Sequence, residues 1–171
     1  MPIKPNVEIK RAERDELYGV AVFLDECWKS EYRQIISDDY LDSIAADERY
    51  ERLLERYDNG LSEFLIMTLD NNLIGVSVFG KSVIEHYEND GEISAIYLHH
   101  NYIGKGYGHF LFSEIEKTLH EKGFDYFILD VLSENKRALK FYLRHDYKVV
   151  DERLIKLGDT EYPLVVMRKS A

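Results

Sequence analysis

Apolar residues fall at helical spacing along Leu17, Val20, Ala21, Leu24 and Trp28, so a helix is expected from Asp15 onward, after a first strand at Val7–Arg11. Ser37 ahead of Asp38-Asp39 pairs a capping hydroxyl with acids in a first turn, which marks a second helix. A further helical piece is expected over Asp47–Tyr57, stopped by Asn59-Gly60. The pattern then changes. Phe64–Leu69 and Leu73–Gly80 are apolar runs around Asp70-Asn71-Asn72, a hairpin signal, and Gly91–His99 reads as another strand. Gly104–Lys122 returns to helical spacing, with Leu111, Ile115 and Leu119 on one face and Gly123 as the stop. Tyr126–Leu132 is apolar throughout except Asp130, as suits a central or parallel strand. Asn135–His145 brings Ala138, Phe141, Tyr142 and His145 to one side of a helix, and strands near Tyr147–Lys156 and Tyr162–Arg168 close the chain.

The order β-α-α-β-β-β-α-β-α-β-β predicts an α/β (α+β) fold, a mixed sheet of about seven strands with helices on both faces. The stretch from Gly91 to Leu132 is expected to form a right-handed parallel crossover. Over 171 residues there are three prolines (Pro2, Pro5 and Pro163) and no repeat, so residues 1–171 are read as one domain.

Charge narrows the function classes. The net charge is −10, but residues 1–92 hold 21 acids against 10 bases, whereas residues 93–171 hold 11 against 12. No basic stripe of the kind nucleic acid requires is present. An acidic half beside a near-neutral half suits a cationic substrate on one side and an anionic cofactor on the other, and equally suits a merely soluble surface. No apolar run reaches the roughly 20 residues of a membrane span, and MPIKPNVEIK has no apolar leader segment. Cys27 is the single cysteine, which excludes an internal disulfide and a cysteine-clustered metal site, so the cytoplasm is the expected compartment.

The segment from His99 to His109 joins a strand to a helix and carries Gly104, Gly106 and Gly108 at alternate positions, with Lys105 between the first two. Glycine lets backbone approach a ligand closely, and the following helix offers unpaired N–H groups and a positive dipole end. The nucleoside-triphosphate loop needs GxxxxGK and then Ser or Thr, which this segment lacks. The dinucleotide fingerprint GxGxxG fails because its last glycine falls on His109. The diphosphate of coenzyme A and a ligand-free glycine turn remain.

With this loop and Gly91–Leu98 before it, the chain resembles the GNAT superfamily (Gcn5-related N-acetyltransferases), whose acetyl-CoA motif is written Q/R-x-x-G-x-G/A. A second stretch, Leu129–Tyr147, is similar to the family's N-x-x-A-x-x-F-Y segment through Asn135, Ala138, Phe141 and Tyr142. Ile103 stands where the family has Gln or Arg, and Asp146 where it usually has glycine. The resemblance spans nearly the whole chain and implies a GNAT-like, mostly antiparallel sheet and acetyl-CoA as cosubstrate. By it, backbone groups of Ile96, Tyr97 and Leu98 pair with the pantetheine arm like an added strand. The amides of Gly104, Lys105, Gly106, Tyr107, Gly108 and His109, following Ile103, cradle the diphosphate. Asn135 contacts the cofactor arm, with Ala138 and Phe141 packing nearby, and Tyr142 protonates the leaving thiolate. Dimers are common in that family, so a homodimer is among the states it allows.

Acetyl transfer to an amine of pKa ~10.4 requires removal of a proton that costs about 4–5 kcal/mol near neutrality. A base acting through water meets that need, and Glu92 at the mouth of the fourth strand is the leading candidate, ahead of Glu85 and Glu88. In a regular strand Glu92, Ser94, Ile96 and Leu98 share one face. Trp28 and Tyr32, one helical turn apart, could wall an acceptor pocket or simply pack in the core. Tyr40 is similar. His99 and His100 would point to opposite faces of a strand, so no metal site is expected, and Cys27 reads as a buried small hydrophobe. The expectation is therefore an N-acetyltransferase acting on a small-molecule or peptide amine by direct attack, without a metal. A non-enzymatic CoA-binding module on the same fold, or a nucleotide-binding regulator using the glycine loop, are the alternatives.

Overall fold

A computed structural model gives the fold for residues 6–171. Residues 1–5, part of the stretch read above for a leader, lie outside the described residues. The elements are β1 (Val7–Arg11), α1 (Leu17–Tyr32), α2 (Asp38–Ser43), α3 (Ala46–Asp58), β2 (Glu63–Leu69), β3 (Asn72–Lys81), β4 (Gly91–Leu98), α4 (Tyr107–Glu121), β5 (Tyr126–Leu132), α5 (Lys136–Arg144), β6 (Lys148–Leu157) and β7 (Thr160–Ser170). Three helices separate β1 from β2, matching the three helical stretches expected there, although the order written from them counted two. Ser37 caps α2 as expected, its side chain accepting from the Tyr40 amide, but extended backbone at Ile44 and Ala45 parts α2 from α3. A single tight turn at Arg14–Glu16 precedes α1.

One sheet takes the order β1-β2-β3-β4-β5-β7-β6. Every neighbouring pair is antiparallel except β4 with β5. The β2–β3 hairpin turns on Asp70 and Asn71, both at positive φ (51° and 66°), the conformation a two-residue type I′ turn needs and these two residue types tolerate. Strand alternation divides the core. Leu65, Met67 and Leu69 bury against α4, where Leu111, Phe112, Ile115 and Leu119 are fully enclosed; Phe64 and Ile66 pack with α1 and α3 on the opposite face.

Two irregularities shape the centre of the sheet. Strands β4 and β5 pair only at Gly91–Phe127 and Glu92–Ile128. Beyond that point β4 keeps its bonds to β3 and β5 its bonds to β7, so the facing edges diverge and Ile93–Leu98 have no strand partner on the β5 side. The second is a bulge at Ser94: Phe79 pairs with Ile93 and Val78 with Ala95, leaving Ser94 unpaired. Ile96 and Leu98 pack with the α4 cluster, whereas Ala95 and Tyr97 pack with the α1 cluster. Glu92, preceding the α4-facing Ile93, lies on the Ala95–Tyr97 face. The expected common face for Glu92, Ser94, Ile96 and Leu98 is therefore wrong, because an extra residue inverts the alternation midway.

Candidate active site

The chain leaves β4 through a tight turn at His100–Tyr102, and α4 begins only at Tyr107, later than the spacing suggested. Gly104 and Gly106 hold positive φ (76° and 90°), which delays the helix. A Cβ on Gly104 would meet nothing within 4 Å, so backbone conformation rather than lack of room calls for glycine there. The first amides of α4 have no acceptor within their own helix and point out of its N-terminus.

That N-terminus opens on a cavity of about 430 Å³ at the β4–β5 splay. The cavity brings together most of the residues singled out from sequence. Ile96, Tyr97 and Leu98 contribute the unpaired edge of β4, Ile103, Gly104, Gly106, Gly108 and His109 the loop, and Ala138, Phe141 and Tyr142 the α5 wall. Lys105 is exposed and absent from the lining, while Tyr107 is buried beneath α4 with its ring edge-on to Tyr102 at 5.6 Å. Trp28 and Tyr32 do not line the cavity either. They meet edge to face at 4.9 Å within a cluster that includes Ile128, Leu132 and Val166, and the Tyr32 hydroxyl is bonded to that of Tyr97 at 3.0 Å. They form packing behind the cleft rather than its surface. Tyr40 joins the same cluster.

Tyr142 presents its phenol to the cavity without a hydrogen bond to another described residue. Burial, reinforced by Tyr32, Glu31 and Asp130, pushes its pKa well above the usual phenol value, so it stays a proton-bearing donor across the neutral range. Burial likewise raises Tyr32 to about 12. Glu92 sits where β4 and β5 part, buried, with Oε2 accepting from the Val83 amide at 2.8 Å. Burial raises its carboxyl above the usual range, opposed by that amide and reinforced by the Asp130 carboxylate. Asp130 lies two residues past the last β4–β5 pair, on the β5 face shared with Ile128 and Leu132. The residue as a whole is exposed, but partial desolvation of its carboxyl against the sheet raises its pKa.

Asn135 is buried, and its amide makes two bonds within the protein. Oδ1 accepts from the Ala138 N–H at 3.2 Å and caps α5, and Nδ2 donates to Glu31 at 3.1 Å. Its role here is to hold the start of α5 against α1. The same Glu31 oxygen accepts from Arg137 at 3.0 Å, and Glu31 and Arg137 both line a second cavity of about 910 Å³ that adjoins the first at Leu98 and Ile103. Glu26 and Glu134 add carboxylates to that second cavity. Cys27 also lines it, its thiol donating to the Leu98 carbonyl at 3.7 Å and raised by burial to about 12, too high for a nucleophilic thiolate at neutral pH. His99 and His100 do not diverge as on a strand: β4 ends at Leu98 and the two rings stack at 4.1 Å. Among the described residues no group of three His, Cys, Asp or Glu is placed to hold a metal, and no helix is long and apolar enough to cross a membrane.

Sequence reading passed over Glu31 and Asp130 as site residues. Both left a trace: Glu31 adjoins the apolar stripe of α1 beside Tyr32, and Asp130 is the single break in an apolar strand.

The chain is similar over most of its length to proteins of one kind. Spermidine N(1)-acetyltransferase of Thermoplasma acidophilum is 29% identical over 152 residues, which span 85% of this chain and 91% of that one. The uncharacterized N-acetyltransferase YuaI of Bacillus subtilis is 26% identical over 85% of this chain and 83% of its own. The crystal structure of the PaiA N-acetyltransferase of Thermoplasma acidophilum in complex with coenzyme A superimposes with a TM-score of 0.77 at 28% identity, covering 96% of this chain and 99% of that one. The profile of the acetyltransferase (GNAT) family matches residues 24–147, which take in most of α1, the splayed strands, the glycine loop and α5. With that match across most of the sheet and both walls of the cleft, the chain belongs to the GNAT acetyltransferase family.

Proposed function

We propose that this protein moves an acetyl group from acetyl-CoA to a primary amine of a small cationic acceptor by direct attack, with Tyr142 as donor to the leaving thiolate and Glu92 as base. The observation that carries this reading is one cavity bounded by the unpaired edge of β4, the glycine loop at the α4 N-terminus and the Tyr142 phenol. The donor set fits such a cosubstrate. An open strand edge suits an amide-bearing arm, and helix N-terminal amides suit a diphosphate. Acetyl-CoA, when bound, supplies the activated thioester; the remaining work falls to side chains of this chain.

Glu92 accepts the ammonium proton through water, since it lies outside the cavity lining. Burial raises its pKa, which makes its ionised form a better proton acceptor than an exposed carboxylate. Tyr142 faces a different balance. A thiol has pKa ~8.5, so outright transfer from a phenol raised above 10 is uphill by more than about 2 kcal/mol. Tyr142 therefore acts chiefly by donating a hydrogen bond to the thiolate as its charge develops. The acceptor class rests on similarity to a spermidine acetyltransferase, since the larger cavity balances Glu26, Glu31 and Glu134 with Arg33, Lys136 and Arg137.

The test is thiol release from acetyl-CoA with spermidine, spermine, an aminoglycoside, free amino acids and a peptide. Turnover is expected with the polyamines. CoA binding without turnover on any amine would favour a non-enzymatic CoA-binding module instead.

A further inference from the structure

Helices α4 and α5 flank the 430 Å³ cavity, and among the described residues one side-chain hydrogen bond joins them. His109 Nδ1 and His145 Nε2 lie 3.3 Å apart. His109 is the third residue of α4 and lines the cavity, while His145 caps the end of α5. The two rings stand 4.9 Å apart, tilted by 31°. His145 is also fixed against Phe112 of α4 at 4.7 Å and Phe141 of α5 at 4.5 Å.

Such a pair must share a hydrogen, one ring donating N–H and the other accepting with its lone pair. Two neutral rings can do this. So can a pair with one extra proton, whose bond is charge-assisted and stronger. A second extra proton leaves two positive donors face to face and no acceptor. The surroundings do little to offset that charge. Glu116 of α4 and Asp146 favour a proton on His145, but Glu116 already accepts from the Tyr147 hydroxyl at 3.2 Å and from Lys169 of β7 at 2.9 Å. Lys169 opposes the proton, and Lys140 and Arg144 line the cavity alongside His109. Burial first, and His109 second, hold the His145 pKa below the usual imidazole value.

We propose that His109 and His145 form a proton-operated clasp, which holds α4 to α5 near neutral pH and releases them once both rings are charged. The glycine loop leads into α4 and Tyr142 stands on α5, so release parts the two sides of the cavity. A ring whose folded pKa is depressed contributes stability that is complete above its unfolded value of ~6.5 and is lost as pH falls through the folded value. The clasp therefore opens on the acid side. It acts on the fold and does not depend on the acetyl-transfer reading.

The experiment takes the unliganded protein from about pH 8 to about pH 5 and follows imidazole nitrogen resonances and amide exchange, the latter corrected for its intrinsic pH dependence. The two rings should titrate as a coupled pair in two separated steps. Across the second step, exchange should rise about tenfold at Phe110–Ser113 and Phe141–Asp146 but not on β2 or β3. His145→Phe keeps an aromatic ring between Phe112 and Phe141 and cannot titrate, so exchange there should become independent of pH. If that variant does not fold, His109→Gln, at an exposed position, should remove the rise in the same way. No rise in the wild type, a rise that persists in the variant, or two rings titrating independently near ~6.5 overturns the inference.

Discussion

Two helices wall the cleft, and they are unlike in charge. Helix α1 contributes Asp25, Glu26 and Glu31 against a single Lys29, whereas α5 contributes four cations and no acid. They touch where Glu31 accepts from both Arg137 and Asn135. The difference separates what each wall can receive. In the function proposed above, the donor lies against α5 and the acceptor comes from the α1 side, with the reacting atoms over the splay between β4 and β5. Four of the chain's 22 lysines and arginines stand on α5, which faces the glycine loop across the smaller cavity and carries no acid.

The largest predicted effect breaks the α5 wall at its reactive end. Tyr142→Phe should lower kcat by roughly 10²–10³ while the CoA dissociation constant stays within about twofold, measured by steady-state kinetics and calorimetry. Unchanged turnover would remove Tyr142 from the chemistry. Next comes the base on the α1-facing side of β4. Glu92→Gln should cost about 10² in kcat/KM at pH 7. The pH profile carries the sign. Glu92 must be ionised to accept a proton, so the wild-type rate should rise through a pKa above 4.5 and then level. The variant can use only the free amine, so its rate should climb about tenfold per pH unit towards the amine pKa near ~10.4. Parallel profiles would acquit Glu92.

The glycine loop and the Asn135–Tyr142 segment were legible in the sequence because each is a local pattern: glycines at alternate positions, and side chains one helical turn apart. The hairpin at Asp70-Asn71 was legible for the same reason. What stayed hidden was non-local. The bulge at Ser94 exists through register against Val78 and Phe79, and nothing in the β4 residues alone reveals that Glu92 turns away from Ile96 and Leu98. The bonds that anchor Asn135, one capping α5 and one to a residue 104 positions earlier, are hidden for the same reason. The late start of α4 follows from two positive φ angles that helical periodicity does not register.

Smaller changes sharpen the contrast between the walls. Glu31→Gln removes the carboxylate nearest their contact and should raise KM for a polyamine about fivefold relative to a singly charged amine, as steady-state assays on both would report. An equal change for the two would assign Glu31 to bracing Arg137 and Asn135 alone. Asp130→Asn removes a like charge from beside Glu92, so the acid limb of the rate profile should move down by a few tenths of a pH unit. An upward shift would contradict that placement.

The central claim is that the donor occupies the β4–β5 splay against α5. Amide hydrogen exchange with and without CoA reads this directly. Exchange is predicted to slow at Ile96–Leu98, at Gly104–His109 and along Arg137–Tyr142, with little change on β1 or β6. Binding that leaves these amides unprotected and slows exchange elsewhere would contradict it.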